Sequence, residues 1–191
     1  MPKSGESMRL FLAFELADVQ RAALDQLRRN APLRLKQAAR WVPKENLHLT
    51  LHFLGDLPRE KLPELKAALR TVEAGCANLA LRALGRFPRR GKARVLWAGV
   101  AEDEALRDCH EQLARALTRL DLPLSAAPFT PHITLARLRP PLEYAELAGW
   151  LAEQAGWRDP RARVSHFTLF ESQLGVGVPR YIPLARYPLA Q

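Results

Sequence analysis

Two tetrapeptides carry the residue types of phosphoryl chemistry: His48-Leu49-Thr50-Leu51 and His132-Ile133-Thr134-Leu135. Each alternates a polar with an apolar side chain. On a strand, His and Thr therefore share one face and the apolar pair is buried behind them. Opening a phosphodiester by in-line attack needs a base on the nucleophile side and an acid on the leaving-group side. Histidine suits both roles, because its unperturbed pKa of about 6.5 lies near working pH. Threonine hydroxyls donate to the non-bridging oxygens, whose charge must be held in the transition state. Arg137, five residues beyond His132, adds a bidentate phosphate ligand. A single His-x-Thr on a strand is ordinary strand surface. Two copies 84 residues apart, matching a repeat in the pattern of elements, point to one shared site.

The remaining candidates sort around that pair. His166-Phe167-Thr168-Leu169 has the same form, but its first-half counterpart falls near Leu81, so it reads as strand surface. His52 shares the face of His48 by strict alternation and is placed at the cleft rim; Ala136 holds the equivalent position in the second half. His110 lies on a helix and reads as surface. Phe129, just before His132, is the aromatic best placed to stack a base, with Trp41 and Tyr181 as the other candidates. The stretch 86–94, RFPRRGKAR, holds Arg86, Arg89, Arg90, Lys92 and Arg94, and Arg90 is taken as its contact to substrate phosphate. No HExxH, GxxxxGK[ST], GxGxxG or serine nucleophile elbow occurs, so neither a metal nor a nucleotide cofactor is expected.

The elements that must position these residues follow from periodicity. Strands are expected over 9–16, 47–54, 79–87, 94–100, 130–136 and 163–170, with a Pro-interrupted edge segment at 181–189. Helices are expected over 18–30, 58–73, 103–120 and 143–154, the first capped by Asp18. Pro32 and Pro43 punctuate a loop between the first helix and the first motif strand. Each half then runs strand, helix, strand, helix, strand, a mixed α+β design of two similar lobes about a pseudo-twofold axis. Residues 1–7 read as a polar lead-in. Residues 8–191 read as one domain with pseudo-repeats over about 8–90 and 91–190.

Composition narrows the partner. Lys plus Arg is 29 and Asp plus Glu is 20, a formal net charge of +9, which favours a polyanion. Much of the charge is arginine in an Ala- and Leu-rich chain, so compositional bias accounts for part of it. Cys76 and Cys109 lack metal or disulfide-framework spacing and read as free thiols. No apolar run approaches a spanning helix or a signal-peptide core, so a cytoplasmic protein without membrane contact is expected.

The two motifs and their flanks resemble the 2H phosphoesterase superfamily, in particular the RNA 2′,3′-cyclic phosphodiesterases historically named 2′-5′ RNA ligases. The segments MRLFLAFEL, WVPKENLHLTLHFLG, RVLWAGV, FTPHITLARL and ESQLGVGVPRYIPLARYPL carry the likeness, which runs from Met8 to Leu189. The resemblance implies an α+β, bilobal, duplicated fold with two antiparallel sheets around a central cleft and helices on the outer faces. It implies opening of an RNA terminal 2′,3′-cyclic phosphate to a 2′-phosphate, without metal or cofactor. His48 would be the general acid and His132 the general base, with Thr50, Thr134 and Arg137 on the phosphate. Phe129, His52 and Arg90 are candidate substrate contacts. The partner would be cyclic-phosphate RNA or a cyclic nucleotide, and the protein a monomer. A 2′-5′ oligonucleotide phosphodiesterase, a reversible 2′-5′ ligase and a non-catalytic RNA-end-binding module are the alternatives. His52 departs from the basic residue expected in many relatives, and the motif at His166 is additional.

Overall fold

Alternation along β1 (Ser7–Glu15) sorts its side chains onto two faces. Leu10, Leu12 and Phe14 join the main core, while Phe11 and Ala13 form a separate cluster with Phe170. The computed structural model describes residues 7–89, 91–158, 161–175 and 177–191. Most of the expected lead-in lies outside them, and Ser7 already belongs to β1.

Helix α1 (Asp18–Asn30) turns Gln20, Leu24 and Leu27 inward, and the buried Gln20 amide donates to the Leu79 carbonyl at 2.9 Å. Asp18 does not cap it. Ala17 holds that position, and Asp18 sits in the first turn, where its charge meets the positive end of the helix dipole. The expected loop between Pro32 and Pro43 is structured instead: α2 (Leu33–Ala38) begins directly after Pro32, and β2 (Ala39–Trp41) follows. Strand β3 (His48–Pro58) runs past Gly55, and α3 (Leu62–Leu69) is shorter than the expected helix because 59–61 forms a 3-10 turn. Then come β4 (Ala77–Leu79), β5 (Leu81–Arg89) and β6 (Lys92–Val100). Helix α4 (Glu104–Thr118) is capped by Asp103, whose side chain accepts the Leu106 N–H at 2.9 Å. The chain closes with β7 (His132–Leu142), α5 (Ala145–Glu153), β8 (Ala162–Val164), β9 (His166–Gln173) and β10 (Arg180–Pro188).

Among the described residues the strands make an eight-stranded antiparallel sheet in the order β10-β9-β1-β3-β7-β6-β5, with β2 on β7, and a two-stranded sheet of β4 and β8. The expectation of two large sheets is corrected by one pairing, Leu49 with Ile133, through which β3 and β7 join the halves. Both side chains are fully buried, so the strands meet where each motif needs apolar cover. Helices α1, α3 and α4 pack into the main core, and α2 and α5 cover β6 and β7 around Leu96 and Leu138. No helix is long and apolar enough to cross a membrane among the described residues.

Candidate active site

The central pairing sets the site. With Leu49 opposite Ile133 in antiparallel register, the next positions are His48 across from Thr134 and Thr50 across from His132. The two motifs thus lie side by side on adjoining strands.

A β-bulge follows each motif. Leu12 pairs with His52 and Ala13 with Thr50, so Leu51 is an extra residue in β3. Likewise Leu96 pairs with Ala136 and Trp97 with Thr134, leaving Leu135 extra in β7. Each bulge buries two consecutive residues, Leu51-His52 and Leu135-Ala136, and shifts the alternation by one. Strict alternation would put Arg137, at an odd offset from His132, on the face opposite the motif. The bulge returns it to the motif face, and it places Phe53 equivalently in the first half. His48, Thr50, Phe53, Thr134 and Arg137 accordingly line one cavity of about 480 Å³.

The two imidazoles are held alike. His48 Nδ1 donates to the Asn46 carbonyl and His132 Nδ1 to the Thr130 carbonyl, each at 2.7 Å and each two residues back. A carbonyl only accepts, so these contacts protonate Nδ1 and leave Nε2 for proton transfer. His48 Nε2 accepts the Thr50 hydroxyl at 3.0 Å. The His48 ring lies 4.9 Å from Phe11 and 5.2 Å, edge-on, from Tyr181. His132 is edge-on to Phe87 at 4.8 Å and 6.4 Å from Trp97. Gly85 is required here, since a Cβ on it would fall within the Trp97 indole. Burial holds His48 below the usual histidine range; His132 and Arg21 push the same way, against the Asn46 carbonyl. The electrostatic influence of His132 on His48 couples the two motifs.

Arg9, Arg40, Arg137 and Arg139 line the cavity with no Asp or Glu among the lining residues. None of the four forms an ion pair among the described residues. A concave site with this balance selects anions. Arg137 and Arg9 also act on the half-buried Tyr181, whose phenol is raised by burial against their charge.

Several expected contacts fall elsewhere. The bulge turns His52 to the helix side, where Nε2 donates to the His110 carbonyl at 2.9 Å and the rings stack at 4.1 Å. Phe129 stacks on the other face of His110 at 3.8 Å and does not line the cavity, so neither residue sits at its rim. Trp41 and Tyr181 do line it. His132 is not itself a lining residue; it stands at the start of β7 beside Thr134, which is. Arg90 lies outside the described residues. Its neighbours are engaged away from the cavity: Arg86 lies over the Tyr144 ring at 4.6 Å, and Lys92 meets Glu143 at 2.7 Å. The third motif serves a carboxylate. His166, the Thr168 hydroxyl and Arg186 converge on Glu15 at 3.3, 2.7 and 2.8 Å. Sequence reasoning missed Phe53, Arg9, Arg40 and Arg139. For Phe53 the signal was present: it stands at the same offset from His48 as Arg137 does from His132.

Comparison with known proteins places the chain among relatives over most of its length. The family described as the 2′-5′ RNA ligase superfamily matches residues 16–175. A protein of Escherichia coli named RNA 2′,3′-cyclic phosphodiesterase is 31% identical over 188 residues, covering 97% of this chain and 99% of that one. A Geobacillus stearothermophilus protein of the same name is 42% identical over 99 residues, 51% of this chain but 32% of the relative, so the chain spans about a third of it. The crystal structure of E. coli LigT complexed with 3′-AMP superposes with a TM-score of 0.77 at 30% identity, over 97% of this chain and 100% of that one.

Proposed function

From the premise that the chain belongs to the 2′-5′ RNA ligase superfamily, we propose that it opens terminal 2′,3′-cyclic phosphates on RNA by hydrolysis to a 2′-phosphomonoester. One observation carries the reading. Two histidines, each with Nδ1 tied to the carbonyl two residues back and Nε2 left for proton transfer, stand on adjoining strands; His48 lines a cavity whose four arginines form no ion pair among the described residues, and His132 stands beside Thr134, which lines it too.

In this mechanism His132 Nε2 takes a proton from water as the water oxygen bonds to phosphorus. The P–O3′ bond breaks in line, and His48 Nε2–H protonates O3′. The two proton transfers need no metal, and exchange with solvent restores both rings. Arg137 and the two threonine hydroxyls hold the non-bridging oxygens. Burial lowers the His48 pKa, and in the free protein its Nε2 accepts the Thr50 hydroxyl. An arriving phosphate anion favours the imidazolium. Once Nε2 carries a proton it no longer accepts that hydroxyl, which turns to the phosphate. Phe53, 70% exposed on the cavity wall, offers a face to the terminal base.

The same reading treats the chain as one bilobal, duplicated unit. Its support is the mirrored strand order β9-β1-β3 and β7-β6-β5 about the central pair, and the identical burial of the first nine residues of β3 and β7.

The test is incubation with a 2′,3′-cyclic-phosphate oligoribonucleotide and identification of the product phosphate. A 2′-phosphate is expected, and His48→Ala or His132→Ala should abolish turnover while circular dichroism stays unchanged. Full activity in either variant refutes the mechanism. A substrate with sulfur bridging at the 3′ position separates the roles, because a thiolate leaves unprotonated. His48→Ala should turn it over and His132→Ala should not; the reverse exchanges acid and base.

A further inference from the structure

Three rings stack in a row on the side of the sheet away from the cavity. His52 comes from β3, which carries the first motif. His110 comes from α4. Phe129 comes from the segment that enters β7, three residues before His132. Their spacings are 4.1 and 3.8 Å with interplanar angles of 18° and 13°. His52 Nε2 also donates to the backbone carbonyl of His110, so the first pair is joined by a hydrogen bond as well as by its faces. Burial, with His52 adding to it, lowers His110 to about 4, so the rings meet as neutral aromatics at working pH.

The row ends where the second motif begins. Phe129 is followed by Thr130, whose carbonyl accepts His132 Nδ1–H at 2.7 Å, and by Pro131, whose carbonyl accepts the Val100 N–H at 3.2 Å. The non-regular segment after α4 packs on the main core through Leu120, Leu122 and Leu124 near its start and through Phe129 at its end. The carbonyl that fixes the His132 tautomer therefore sits one residue from a ring clamped on α4, and that ring is tied through His110 to the strand bearing His48.

We propose that the His52–His110–Phe129 stack positions the proton-transfer histidine of the second motif: it anchors residues 129–131 on α4 and so holds the Thr130 carbonyl against His132 Nδ1. The three are positioning residues, since none lines the cavity. The β3 bulge makes the arrangement possible, because it sends His52 to the helix side where alternation would have kept it with His48. The proposal rests on the reading of His132 as a participant in turnover, and one of its two measurements is independent of that reading.

The variants are Phe129→Leu and His110→Leu, which keep apolar volume and remove a ring, and His110→Phe, which keeps a flat ring without the imidazole. Turnover of the cyclic-phosphate oligoribonucleotide is measured across pH, and the His132 tautomer is read in the substrate-free protein by long-range proton–nitrogen NMR. In the two leucine variants kcat should fall about ten- to a hundredfold with KM within about twofold, the size expected of a slightly misplaced group. The His132 Nδ1–H signature should weaken, with His110→Phe restoring both kcat and the signature. Parent-like kcat and tautomer in both leucine variants overturns the proposal, as does a lowered kcat with an unchanged His132 spectrum. If one variant fails to fold, the spectrum of the other carries the same test. No turnover by the parent refutes the functional reading instead, and the tautomer comparison still stands.

Discussion

The third His-x-Thr offers a sharp test, because it has the motif's letters and a different task. Its His166 and Thr168, with Arg186, hold the Glu15 carboxylate; Thr168 is fully buried and Arg186 engages both oxygens. Burial alone would raise the carboxyl, yet the Arg186, Thr168 and His166 contacts together lower it from 4.5 to about 2. A shift of that size corresponds to roughly 3 kcal/mol if fully expressed. Arg186 is 56% exposed, and solvent screening reduces the expected stabilisation to about 1–2 kcal/mol. Glu15→Gln keeps the volume and removes the charge. At pH 7 it should lower the urea midpoint by about 0.5–1 M, for a slope of about 2 kcal/mol per molar. The folded pKa is the depressed one, so this stabilisation is complete above about pH 4.5 and is lost as pH falls toward about 2. The gap between parent and variant should therefore narrow by more than half at pH 3. His166→Ala should lose less, about 0.5–1 kcal/mol for a 3.3 Å contact, with kcat unchanged. Equal midpoints for parent and Glu15→Gln at pH 7, or a gap that does not narrow in acid, refute the electrostatic account. Loss of turnover in His166→Ala comparable to His48→Ala refutes the assignment of the third motif to structure.

Further outcomes are open to measurement. Arg137→Ala should raise KM for a cyclic-phosphate oligoribonucleotide by about ten- to a hundredfold, the worth of a charge-assisted contact, with Arg137→Lys recovering part of it. Phe53→Ala should raise KM about tenfold with little change in stability, since the ring is exposed and stacking alone is removed; an unchanged KM rejects it as a base platform. With His48 as the acid, kcat/KM should fall as pH rises through a limb below 6.5, because its pKa is depressed in the free protein, and the corresponding limb in kcat should lie higher once phosphate is bound. Gly85→Ala should lower stability by about 1–3 kcal/mol in urea unfolding, because the Trp97 ring must move.

The two motifs and most regular elements were legible because period-2 and period-3.6 patterns reflect which face is buried. The first helix ends where its pattern does, at Asn30. What alternation cannot show is a change of phase. Alternation puts His52 with His48 and Arg137 on the face opposite His132; one extra residue in each strand reverses both, leaving His52 beside His110 and Arg137 in the cavity. Closeness in sequence to His132 suggests a place for Phe129 in the site, whereas its ring is held by α4, a contact no local pattern encodes. Helix α2 is hidden in the sequence because Pro32 looks like an interruption, although a proline just ahead of a helix is compatible with its start. The arginines at 9, 40 and 139 carry no motif, and only the sheet order brings them to one cavity.

The bulges also determine how this chain can tolerate insertions and deletions. Removing Leu51 or Leu135 would leave a strand of almost unchanged composition and hydrophobicity, yet every residue after the gap would exchange faces, sending Phe53 or Arg137 into the core and its buried neighbours into the cavity. A frame of one residue thus separates a working site from an apolar wall. Alignments of relatives that close or open a gap within five residues of either histidine misassign the phosphate and base contacts even when both motifs are matched.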